Sequence, residues 1–121
     1  MSDAAQDLGG VRVLVCAPDG PPIGGERAVV DIIGQALGEN AAWAVLPAER
    51  LGDDFFVLST RIAGEAIQKF VNYGVKLTIV GDISRHTAAS QALRDFVYES
   101  NRGRHVWFVD SLAELAARLA P

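Results

Sequence analysis

The chain alternates short apolar runs with longer amphipathic ones. Residues 11–16 (VRVLVC), 43–46, 75–80 and 105–109 (HVWFV) are apolar, bounded by turn residues, and read as strands. Apart from Arg12, the first of these is apolar on both faces, as in a strand covered on both sides of its sheet. In 75–80, Val75, Leu77 and Ile79 share one face while Lys76, Thr78 and Val80 share the other. The second face is therefore thinly covered near the start of that strand.

Between the strands, apolar residues recur at three-and-four spacing and predict helices over 26–37, 60–72, 88–101 and 112–119. Their expected inward faces carry Val29, Ile32, Ile33 and Leu37 in the first, and Ile62, Ala63, Ala66, Phe70 and Val71 in the second. The third buries Ala89, Ala92, Leu93, Phe96 and Val97, and the last Leu112, Leu115 and Leu119. Ser59 or Thr60 suits the N-cap of the second helix, and Gly74 suits its left-handed C-terminal stop. Gly64, inside that helix, costs about 1 kcal/mol relative to alanine and suggests close packing on a neighbouring strand. Phe55 and Phe56 lie in an otherwise loop-like stretch and are expected to pin it against the sheet.

Strands alternating with helices through short loops predict one α/β domain over 11–121. Its sheet should be mainly parallel, of four to five strands, with about four helices and right-handed crossovers. Residues 1–10 are small and polar, end in Gly9-Gly10, and are expected to form a flexible N-terminal tail.

Composition narrows the functional classes. A net charge of −4 over 121 residues argues against a nucleic-acid binder that neutralises phosphates. The acidic opening MSDAAQDLGG differs from a secretion signal, and no apolar run approaches a membrane span of about 18 residues. A cytoplasmic location without membrane attachment is the expectation. The single cysteine, Cys16, allows no internal disulfide and lies in an apolar strand, where a buried structural role is expected.

No phosphate-binding glycine loop, nucleophile elbow or metal-ligand spacing is present, so neither metal nor redox cofactor is expected. Two groups of polar residues stand out instead. Ser59, Thr60 and Arg61 open the second helix, where an anion or a phosphoryl group is favoured, and Asp82 and Ser84 follow the strand 75–80. Caps and turns use the same residue types. The outward stripe Glu65, Lys69 and Asn72 of the second helix, with Arg94, Tyr98, Glu99 and Arg102 of the third, forms a candidate partner surface. If the two helices cross the same sheet face as neighbours, the stripes are expected to merge around Tyr98.

The blocks FFVLSTRIAGEAIQKFVNYGVKLTIVGDIS and LRDFVYESNRGRHVWFV resemble a bacterial family known only as a domain of unknown function, DUF4180. More distantly, the order of elements resembles the STAS domain of anti-sigma-factor antagonists. That fold opens with a strand and a glycine turn, then alternates helices and strands. A D-S-x-G motif there starts the helix after the central strand, and a partner kinase phosphorylates its serine. Leu58-Ser59-Thr60-Arg61 occupies the matching place, with Leu58 in place of the aspartate and no glycine. The resemblance implies a regulatory, non-enzymatic module that binds a protein partner or a second copy of itself. The alternative is a small-molecule or anion binder, or an enzyme, using a strand-end crevice around Ser59, Asp82 and Ser84.

Overall fold

In the computed structural model, which describes residues 3–121, a five-stranded sheet runs in the order β1-β2-β3-β4-β5. The strands are β1 (Ala4–Leu8), β2 (Val11–Val15), β3 (Trp43–Pro47), β4 (Lys76–Val80) and β5 (Val106–Val109). Strands β2 to β5 are parallel, whereas β1 pairs antiparallel with β2, so the sheet is mixed. β4 lies between β3 and β5, inside the sheet.

The expected tail is this antiparallel edge strand; Met1 and Ser2 lie outside the described residues. Gly9 and Gly10 make the difference. Both have positive φ, 58° and 86°, which suits a two-residue hairpin turn whose twist matches the flanking strands. Polar Gln6 and Asp7 pair across the ladder with Val13 and Arg12, as an edge strand with one wet side allows.

Five α-helices cover the sheet: α1 (Gly25–Gly38), α2 (Ile62–Tyr73), α3 (Ser84–Ala89), α4 (Gln91–Arg102) and α5 (Leu112–Leu119). The expected third helix is two. Ser90 is extended (φ −146°, ψ 113°), and its Oγ accepts the Leu93 N–H at 3.1 Å to cap α4. Three short 3-10 turns (Ala48–Arg50, Asp53–Phe56, Leu58–Thr60) fill the β3–α2 connection, where Phe55 and Phe56 are buried as expected.

Sequential strand order with right-handed crossovers places successive helices on one face. Accordingly, Ile33 of α1, Phe70 of α2 and Leu93 of α4 share one core with Leu14, Leu77 and Phe108 of the sheet. The opposite face is covered by α5, whose Leu115 packs with Val13, Trp43, Val45 and Val109. Lys76, at the thin end of that face, is exposed and lies over the Trp43 ring at 5.6 Å. Helical burial is narrower than the periodicity predicts: Leu37, Ile62, Val71, Ala89 and Ala92 are exposed at the flanks. A helix lying on an open sheet buries only the stripe that meets the strands. Gly64 is exposed as well, and a Cβ built there meets nothing within 4 Å, so close packing is not its reason.

Among the described residues, no helix is long and apolar enough to cross a membrane.

Candidate functional site

The β3–α2 connection and α3 lie beyond the carboxyl ends of the strands, where open parallel sheets place their ligands. Ser59 is exposed there, in a shallow groove it shares with Asp53, Phe56, Arg85, His86 and Ser90. The Arg85 guanidinium donates to Asp53 Oδ1 at 2.7 Å, and His86 Nε2 lies 3.8 Å from the same oxygen. Phe56 fixes the imidazole by stacking on it at 4.3 Å between centroids, with planes 17° apart.

Thr60 is engaged: its hydroxyl lies 2.8 Å from the Asp54 carbonyl and 2.7 Å from that of Val57. No hydrogen bond among the described residues holds the Ser59 hydroxyl. Arg61, left-handed (φ 67°), holds the N-cap position without a side-chain cap; Thr60 Oγ1, one residue earlier, accepts the Ile62 N–H at 3.3 Å, so Thr60 rather than Ser59 serves the helix start.

Asp82 and Ser84 form a separate turn. Asp82 Oδ1 accepts the Ser84 N–H at 2.9 Å, and Ser84 hydrogen bonding holds the Asp82 carboxyl below its usual range. Neither residue lines the Ser59 groove, so the three groups do not meet in one crevice. Ser111 is a cap: its Oγ accepts the Glu114 N–H, and Glu114 accepts the Asp110 N–H in return. Among the described residues, no group of three or more His, Cys, Asp or Glu side chains could hold a metal ion.

The two outward stripes go to different places. Glu65, Lys69 and Asn72 border a cleft of about 480 Å³ between α1 and α2, on the side of α2 away from α4. Lys69 Nζ reaches across it to Glu26 Oε2 at 3.0 Å; this hydrogen bond, then the Glu26 charge, raises the Lys69 pKa. Gln68 donates to Asn72 Oδ1 at 2.8 Å along the same rim. The α4 stripe keeps to itself: Arg102 lies 5.5 Å over the Tyr98 ring and 3.6 Å from Glu99. Arg94 instead donates to the Thr87 carbonyl and to Gln91, tying α3 to α4. The stripes do not merge, because the polar edge of α2 turns toward α1.

A protein-family model described as "Domain of unknown function (DUF4180)" matches residues 8–119. The chain belongs to that family. The match spans β2 through α5 and leaves most of β1 outside it. Neither a curated protein nor a solved structure matches the chain.

In this DUF4180 chain, sequence reasoning passed over Arg50, which is only 7% exposed. It donates to the carbonyls of Pro21 (2.8 Å) and Ala17 (3.0 Å) and to Asp3 Oδ1 (2.9 Å), while Asp3 also accepts the Ala17 N–H. The guanidinium thus joins the loops after β2 and β3 to the start of β1. Gly20 makes room for it, since a Cβ there would lie 2.5 Å from the Arg50 Cζ. A charged residue between Glu49 and Leu51 gives no periodic signal of burial; the glycine opposite it was the available sign.

Proposed function

We propose that this protein is a non-enzymatic regulatory module that binds a protein partner, or a second copy of itself, through α4. The observation that carries the reading is Tyr98. Its ring is 63% exposed on an otherwise charged helix, with the Arg102 guanidinium over one face. Tyrosine and arginine supply much of the binding energy at protein interfaces, and a stacked pair arrives preordered. The order of elements supports a STAS-like organisation: an opening strand, the Gly9-Gly10 turn, then alternating helices and strands around a central β3. In this reading the protein acts in the bacterial cytoplasm without nucleic acid or cofactor. Wild type and the Tyr98→Ala/Arg102→Ala variant, compared by co-purification from the host and by sedimentation, test it. The variant should lose the partner or the self-association at an unchanged unfolding midpoint. Association retained in full refutes the reading.

A second reading rests on Ser59, whose free hydroxyl lies in the groove with Arg85, opposite a Thr60 that is already bonded. A phosphoryl group on Ser59 would meet a guanidinium held by a single carboxylate. Mass spectrometry of protein from the host should find phosphate on Ser59. Phosphate confined to Thr60, or none in any growth phase, removes this reading.

A further inference from the structure

The cleft between α1 and α2 is a different place from the α4 surface and has a different chemistry. Its floor is apolar: Ile23, Val29, Leu46, Leu51, Phe55 and Ala66. At about 480 Å³ it falls within the 300–1,000 Å³ typical of small-molecule sites, which combine apolar walls with a few polar groups. It also opens near the carboxyl end of β3, the side of a parallel sheet that ligands favour.

The rim decides the charge of the occupant. Glu26, Glu65 and Lys69 border it, two carboxylates against one ammonium. Lys69 is taken by Glu26 at 3.0 Å, whereas Glu65 has no ion-pair partner among the described residues. A carboxylate ligand would have to draw Lys69 from Glu26 and then sit beside Glu65, leaving like charges together. A cationic head meets Glu65 without breaking any bond. We infer that the α1–α2 cleft binds a small amphiphilic amine, its apolar body on the Phe55–Leu46 floor and its ammonium on Glu65 at the rim. The Lys69–Glu26 pair bridges the two helices beside the head group and keeps the net rim charge at one negative. The inference is independent of the α4 reading, since the two surfaces share no residue.

Tryptamine, tryptophol and indole-3-propionate carry the same ring with an ammonium, a hydroxyl and a carboxylate, and serve as probes. Calorimetry and amide chemical-shift mapping on the full chain should rank tryptamine first, with shifts at residues 23–29 and 62–72. Glu65→Gln, at an exposed position, should weaken tryptamine about tenfold and leave tryptophol unchanged. Lys69→Met, which frees Glu26, should tighten tryptamine several-fold. Indole-3-propionate binding best, tryptamine shifts mapping elsewhere, weaker tryptamine binding in Lys69→Met, or no binding at millimolar probe would each overturn the proposal.

Discussion

Thr78 is fully buried in the middle of the sheet, and its Oγ1 has no hydrogen-bond partner. It pairs in register with Val45 of β3 and Trp107 of β5, on the face that α5 covers. Its neighbours there are hydrocarbon, so the hydroxyl gives up water and gains nothing. A buried hydroxyl without compensation costs about 1–3 kcal/mol in protein mutational data. Thr78→Val replaces it with a methyl of similar volume and keeps the branched Cβ that a strand favours. We expect a stabilisation of about 1–2 kcal/mol. At about 2.1 cal/mol/K per residue, 121 residues unfold with an entropy near 0.25 kcal/mol/K, so each kcal/mol moves Tm by about 4 °C. Calorimetry should therefore show Tm raised by about 4–8 °C. Thr78→Ser keeps the hydroxyl, removes the methyl, and should lose about 1 kcal/mol. A Thr78→Val protein no more stable than wild type would refute the reasoning and mean that the hydroxyl is paired.

Gly34 is exposed in the middle of α1 with open space around its Cβ position, so Gly34→Ala should raise the free energy of unfolding by about 0.5–1 kcal/mol, read as a higher denaturant midpoint at unchanged m-value. Arg50→Ala should cost about 2 kcal/mol by urea unfolding, because it removes three charge-assisted bonds and strands Asp3. Gly20→Ala should be damaging in wild type and much milder beside Arg50→Ala, and equal effects in both backgrounds would refute the contact. Burial, reinforced by the Asp3 charge, pushes the Cys16 thiol up to about 12 from 9.0. It should resist a disulfide reagent at pH 8 until the protein unfolds. Because the unfolded thiol ionises first, the folded state loses stability as pH rises above 9, and a flat alkaline profile would contradict this.

The parallel core was legible because β3 and β5 are continuous apolar runs and α2 carries both a stripe and a glycine stop. β1 was not, since AAQDL has too few apolar residues for a strand on its own. It forms because Gly9-Gly10 turns it back onto β2, which supplies the ladder partner, and because Asp3 is drawn to Arg50. The α3–α4 break at Ser90 was hidden for a related reason: Ala89 and Ala92 continue a helical spacing that the capping serine interrupts. At the candidate site, sequence spacing identified the outward stripes correctly as exposed or half-buried. It did not show which neighbour each would face, because that depends on strand order.

Strand order is also what separates the candidate surfaces. A sheet ordered without reversal puts α1, α2 and α4 side by side, each above the strands it connects. α2 then has two flanks with different neighbours. Toward α1 it meets a helix directly, and the residues that separate them at the rim are long and charged, Glu26 and Lys69, so the space beneath stays open above an apolar floor. On its start lie the 3-10 turns Asp53–Phe56 and Leu58–Thr60, and between these and α4 the stacked Phe56 and His86 leave the shallow Ser59 groove. A doubly wound sheet would offer a single crevice where the order reverses. This one has no reversal, and its concavities arise instead between adjacent helices. The α1–α2 cleft and the exposed Tyr98 face of α4 are therefore two separate surfaces, set apart by the segment that fills the gap between α2 and α4.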